Sequence, residues 1–216
     1  MNTELARHHM IQQQLRTCER MSPDTVELLY ADRREHFVPP ARRALAYADI
    51  EIPLEAGVSM FTPKLETRIF EAAGLQPTNR VLEVGAGSGH MAALLAARSQ
   101  AVWSVEIDPT LAEQARRNLA QAGVRNVQVE VGDGLVGLTA QAPFDVIVVS
   151  GGVTEIPAAL LEQLADGGRL LAFVGSGPVM NLLRLTRVEA KTLITDDLME
   201  TRVAMLQQPA KAKFSF

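Results

Sequence analysis

The chain has 216 residues, a formal net charge of -4 at pH 7 and 47% apolar residues, enough for one α/β domain with an added segment and a real core. Its Lys and Arg are scattered, which excludes a basic face for nucleic acid or anionic membrane, and no apolar run nears the ~20 residues of a membrane span. The start MNTELARHHMIQQQ lacks a signal-peptide core, and the single cysteine, Cys18, excludes an internal disulfide or cysteine-rich metal site, so a cytoplasmic protein is expected, with Cys18 packed as a small, partly buried residue.

In chain order, residues 3–17 and 23–32 read as helices, the second with Ser22 as N-cap and Pro23 at its first position. HFVPP breaks the chain, and residues 46–62 read as irregular. A helix then runs from Pro63 to about Ala73, with Thr62 as N-cap, Leu65, Ile69 and Phe70 on one face, and Gly74 as its stop. From Arg80 strands and helices alternate: strand RVLEVG, helix 88–98, strand AVWSVEI, helix 109–122, strands NVQVEVG and FDVIVVS, helix 157–165, strand RLLAFVG. Such alternation implies right-handed crossovers and a mostly parallel sheet covered by helices on both faces. In the tail, LLRLTRVEA and METRVAMLQ alternate polar and apolar residues with no helix between, which predicts an antiparallel pair closing one sheet edge. The change of texture near residue 78 divides the chain into a helical cap with a loop segment, 1–77, and a ligand-binding domain, 78–216, joined as one compact unit.

The stretch VLEVGAGSGH, Val81 to His90, places three glycines directly after a strand, where backbone N–H groups can approach a nucleotide-like ligand. The dinucleotide pattern G-x-G-x-x-G fails when counted from Gly85 and matches only loosely as GSGHMA from Gly87. Three acids decide the ligand. Glu83 lies inside the first strand; Glu106 ends the second, where a carboxylate can accept two hydrogen bonds from a ribose diol; Asp133, between Gly132 and Gly134, ends the third and suits an adenine amino group. Acids at three successive strand ends, beside a glycine loop without lysine, favour a nucleoside lacking phosphates and carrying positive charge. S-adenosylmethionine is such a ligand, and Gly85, Ala86, Gly87, Gly89, Ile107 and Gly134 would complete its cradle.

With QQQLR, REHFVP (Arg34 to Pro39), AYAD (Ala46 to Asp49), VLEVGAGSGH, VEIDP, GDG, APFDVIVV, EIP and GGRLLAFVG in place, the chain resembles the protein-L-isoaspartate (D-aspartate) O-methyltransferase family over nearly its full length. The strand and loop motifs are common to class I methyltransferases, while REHFVP and AYAD point to this family. The resemblance implies a Rossmann-like class I methyltransferase fold, S-adenosylmethionine held by the glycine loop, Glu106 and Asp133, and methylation of isoaspartyl carboxylates in protein repair, with the N-terminal helices covering the acceptor site.

GVSMFTPK (Gly57 to Lys64) departs from the family pattern G-Q-T-I-S-x-P. The serine implicated at the acceptor falls at Phe61, which cannot donate a hydrogen bond to a carboxylate. Two hydroxyls stand nearby as candidate catalytic residues: Ser59, at the family threonine, and Thr62, which also suits the helix N-cap. SGGV (Ser150 to Val153) replaces T-A-A-A beside the same pocket. An apolar wall there would suit a less polar acceptor, so a methyltransferase for another protein, peptide or small-molecule acceptor stays open, as does a non-catalytic cofactor-binding module. His8 and His9 are expected in solvent on the first helix and His36 beside Phe37, whereas His90, opening the helix after the glycine loop, is placed to meet cofactor or acceptor. No acids or histidines show metal-ligand spacing.

Overall fold

The computed structural model describes residues 2–18, 20–189 and 192–208; the Cys18 side chain and the KAKFSF tail lie outside the described residues. The chain opens with α1 (Thr3–His9), a π-helical stretch (Met10–Leu15) and the single turn α2 (Arg16–Cys18). The continuous α-helix expected over 3–17 is thus widened in its middle. A wider turn brings residues five apart onto one face, and Met10 and Leu15 are both buried there.

Local chemistry sets the next helices. Ser22 caps α3 (Pro23–Ala31), its hydroxyl accepting the Thr25 N–H at 3.2 Å. Thr62 caps α4 (Pro63–Ala73) by accepting from Leu65 N–H, and Gly74, at φ 52°, ends it in the left-handed conformation that glycine adopts without a Cβ clash. Between them lies a two-residue antiparallel pair, β1 (Ile52–Pro53) with β2 (Ser59–Met60).

The remaining strands form one sheet: β3 (Arg80–Val84), β4 (Ala101–Glu106), β5 (Val127–Val131), β6 (Phe144–Val153), β7 (Leu164–Val174), β8 (Met180–Glu189) and β9 (Thr192–Thr201), in spatial order β5-β4-β3-β6-β7-β8-β9. The five strands from β5 to β7 pair in parallel, and β8 and β9 add antiparallel. Helices α5 (His90–Ala96), α6 (Pro109–Gln121) and α7 (Ala158–Glu162) lie in the crossovers. Alternate residues of the central strands feed two cores. Val81, Val102, Val146, Val148, Leu171 and Phe173 pack with Met10, Ile11, Leu15, Ile69 and Leu95, so the N-terminal helices share a core with the sheet. Leu82, Val84, Trp103, Val105, Ile147 and Val149 face the other way, onto Leu160 of α7. Burial on both faces explains the near-continuous apolar runs of these strands.

Three expectations shift. The second tail strand is Thr192–Thr201, not 199–207, because its pairing with β8 already starts at Thr192, opposite Glu189, and leaves the residues after Thr201 for another task. The helix expected over 157–165 is the short α7, since β7 already begins at Leu164. His36 is exposed; the ring stacked edge-on against buried Phe37 is that of His90, 5.1 Å away.

Candidate active site

The carboxyl ends of β3, β4 and β5 converge beside the point where the sheet order reverses, between β3 and β6, the usual ligand crevice of an open parallel sheet. After Val84 the chain passes through Gly85 (φ 95°) and Gly87 (φ 52°), conformations that need glycine. The Glu106 carboxylate fixes this turn from β4: Oε2 accepts the Gly87 N–H at 2.9 Å and Oε1 the Asp108 N–H at 3.1 Å. Asp133 accepts the Leu135 N–H at 3.0 Å, and the neighbouring Gly134 is sterically obligatory, as a Cβ there would lie 2.6 Å from Val84 Cγ1.

Glu83 is wholly buried behind this rim. The Ser104 hydroxyl donates to its Oε2 at 2.5 Å and the Ser150 hydroxyl to its Oε1 at 3.1 Å. Burial pushes its carboxyl up to about 8, the two hydroxyls pull it down less, and Glu106 and Glu66 nearby add to the rise. A carboxyl raised this far favours its protonated form at neutral pH.

These groups open into one cavity of about 950 Å³, counting its mouth. Five acids line it, Glu51, Glu66, Glu83, Glu106 and Asp133, and no described Lys, Arg or His does. That donor set fits the sulfonium and ammonium of S-adenosylmethionine and would repel a pyrophosphate. Gly85, Ala86, Gly87, Ile107 and Gly134 form its walls. Gly89 does not; at φ 84° it lets α5 approach α6, where a Cβ would meet the Ala115 carbonyl oxygen at 3.2 Å.

The opposite wall is Val58, Ser59, Met60 and Phe61, with Ser150 and Gly151 from β6. Phe61 packs on Phe173, ring centroids 5.4 Å apart. Thr62 is not part of this wall, since its hydroxyl serves the α4 cap. Nor is His90, which is 2% exposed and bonded to Asp32 and Glu66 at 2.9 Å each. His8 and His9 are exposed, and Tyr30 Oη lies 3.0 Å from His8 Nδ1.

Sequence reasoning missed the last wall. Residues Ala204 to Gln207 run across the cavity as a strap. Gly152 N–H donates to the Ala204 carbonyl at 2.8 Å, Leu206 N–H to the Gly152 carbonyl at 2.9 Å, and the Gln207 side chain to the Ala56 carbonyl at 3.1 Å. A Cβ on Gly151 would lie 2.6 Å from Leu206 Cδ2, and one on Gly152 2.3 Å from Met180 Cε. The consecutive glycines of SGGV were the available signal, because bare backbone on a buried strand invites another segment to lie flush against it.

A doubly wound sheet, a glycine turn between β3 and α5, and acids at three strand ends around an acid-lined cavity define a class I S-adenosylmethionine-dependent methyltransferase. The comparisons narrow this class. The model of the Protein-L-isoaspartate(D-aspartate) O-methyltransferase (PCMT) family matches residues 6–209, and the chain belongs to that family. The protein-L-isoaspartate O-methyltransferase of Koribacter versatilis (strain Ellin345) is 39% identical over 202 residues, covering 94% of this chain and 90% of the relative. A solved protein-L-isoaspartate O-methyltransferase superposes with TM-score 0.79 at 26% identity, over 95% of this chain and 66% of that one. The same fold, at 17% identity and TM-score 0.79, occurs in a beta-aspartate methyltransferase (PCMT) from Plasmodium falciparum solved with S-adenosyl-L-homocysteine, over 96% of this chain and 99% of that one.

Proposed function

We propose that this methyltransferase esterifies the free α-carboxylate of L-isoaspartyl residues, and the side-chain carboxylate of D-aspartyl residues, in damaged proteins. The observation that carries the reading is a shared cavity in which an acid-lined cofactor half meets the 58–61 loop of a chain belonging to this family. Bound there, S-adenosylmethionine supplies an electrophilic methyl group on a sulfonium. Glu106 would accept from the ribose diol and Asp133 from the adenine amino group, while Gly85, Ala86, Gly87, Ile107 and Gly134 would give backbone-close walls, with Gly89 setting the helix behind them. Glu83 lies at the inner end, where a ligand cation favours its ionised form.

The acceptor carboxylate is already ionised at neutral pH and needs no general base. The protein's task is to hold it in line with the departing sulfur, and positioning of this kind supplies much of the rate. Ser59 is the acceptor-loop hydroxyl in the cavity wall and the residue assigned to orient that carboxylate. Thr62 contributes through the α4 cap. The apolar Phe61–Phe173 pair supports a second reading, an acceptor less polar around its carboxylate.

The test is transfer of labelled methyl from S-adenosylmethionine to an isoaspartyl peptide, with the aspartyl isomer as control and cofactor binding measured calorimetrically in the same preparation. Selective labelling of the isoaspartyl peptide is expected. Cofactor binding without labelling would remove this acceptor and favour the second reading.

A further inference from the structure

Four charged side chains, of which only Glu66 reaches the cavity, meet beneath the acceptor loop. Asp32 caps the end of α3, Arg34 belongs to the 3-10 turn Arg34–His36, Glu66 to the first turn of α4, and His90 is the first residue of α5. Arg34, Glu66 and His90 are 1%, 3% and 2% exposed. The imidazole bridges two acids, Nε2 to Asp32 Oδ2 and Nδ1 to Glu66 Oε2, both at 2.9 Å, and Arg34 closes on the same Glu66 oxygen. Arg34 spends its other donors on backbone: Nε on the Ala46 carbonyl at 2.8 Å, and the second terminal nitrogen on the Phe61 carbonyl at 2.6 Å.

Desolvating four charges is costly, and such a cluster persists when each member is held by the others. Its connectivity is directional. His90 follows the glycine loop without an intervening residue, Glu66 lines the cavity, and Arg34 grips the backbone of the acceptor loop. We propose that the Asp32–His90–Glu66–Arg34 cluster is a positioning device that sets the acceptor loop, Ser59 to Phe61, at a fixed distance from the cofactor's glycine turn, with Arg34 and His90 as its positioning residues. The inference rests on the reading of this loop as the acceptor wall. The groups facing the imidazole are Asp32, Glu66, the Arg34 guanidinium and the Phe37 ring, and Glu66 in turn acts on Glu83. Burial alone would lower the His90 pKa, but the charges and hydrogen bonds of Glu66 and Asp32 outweigh it and raise the imidazolium to about 9.

The experiment compares wild type with Arg34→Lys and His90→Asn. Arg34→Lys keeps a cation against Glu66 but loses the forked reach to the Phe61 carbonyl. Its acceptor KM is expected to rise about tenfold or more, with cofactor Kd within about twofold. Amide hydrogen exchange should quicken in residues 58–61 while β3 and β6 keep their protection. For wild type, kcat/KM for the acceptor should fall on one ionisation near pH 9, a step absent from folded His90→Asn. The product is counted as S-adenosylhomocysteine, since methyl esters hydrolyse in alkali. Wild-type KM and wild-type exchange at 58–61 in Arg34→Lys would overturn the inference, as would exchange accelerated uniformly across the sheet with KM unchanged. If wild type itself leaves the isoaspartyl peptide unlabelled, the acceptor assignment fails, while the exchange comparison still decides whether the cluster holds the loop.

Discussion

Replacing Glu83 by glutamine tests the electrostatics of the cavity floor directly. The amide is nearly isosteric and can still bond the Ser104 and Ser150 hydroxyls. The carboxyl ordinarily titrates at 4.5 and is raised to about 8 in the fold. Between those values the unfolded chain has released a proton that the native protein keeps, so this group's contribution to stability falls as pH rises. Each unit of difference is about 1.4 kcal/mol, which makes the loss between pH 5 and pH 8 roughly 3–4 kcal/mol. Glu83→Gln lacks this slope and should gain on wild type by about that amount over the same interval. His90, raised from 6.5 to about 9, stabilises fully below its unfolded pKa and loses that contribution as pH climbs through 9; it is present in both proteins and cancels in the difference. The assay is urea unfolding of cofactor-free protein at pH 5, 6, 7 and 8, followed by the fluorescence of the single tryptophan, Trp103, buried against Phe144. A stability gap equal at pH 5 and pH 8 to within ~1 kcal/mol would show that Glu83 is ionised throughout and refute the argument.

Glu106→Ala should weaken cofactor binding by about a hundredfold or more, since it removes the carboxylate proposed to hold the ribose and frees the Gly87 N–H; calorimetry reads the change. Ser59→Ala should raise acceptor KM with stability unchanged, whereas Thr62→Ala should cost about 1 kcal/mol of stability with acceptor KM unchanged. The reverse pattern would exchange their assignments. Gly151→Ala forces a methyl within 2.6 Å of Leu206 Cδ2, so stability should drop by about 1–3 kcal/mol and acceptor KM should rise as the strap lifts. Phe61→Ser should increase isoaspartyl methylation at unchanged cofactor affinity, and no increase would dismiss Phe61 as the obstacle.

Local chemistry made much of the fold legible. Ser22, Thr62 and Asp108 each precede a proline and each caps the expected helix, because the capping bond and the preset proline torsion act over four residues. The central strands were readable from their apolar runs, and the acids that close them, Glu106 and Asp133, do reach one cavity. Long-range pairing was not readable. Residues Met199 to Gln207 alternate like a strand, yet only the first three belong to β9, and the rest cross to Gly152. Alternation reports one buried face without naming the partner. The π-helical stretch at Met10–Leu15 likewise arises from packing, and nothing in MIQQQL announces it. His90 shows the same limit at the site: position in sequence aimed it at the ligand, while Asp32 and Glu66, distant in the chain, hold it elsewhere.

The strap also gives the cavity a timetable. Its walls are drawn from Glu51 through Gln207, so the cofactor turn at Gly85 leaves the ribosome about 120 residues before Leu206 comes to lie over it, some 6 to 24 s at about 5–20 residues per second. Once β4 and β6 have followed to pair with β3, the nascent chain can build the glycine turn but still has no roof over it. Because this contact spans so much of the chain, its closure entropy must be met before it returns any stabilisation. Ligand-binding competence is therefore acquired in two instalments, cradle first and enclosure last, and a cofactor molecule that arrives early meets an open shelf.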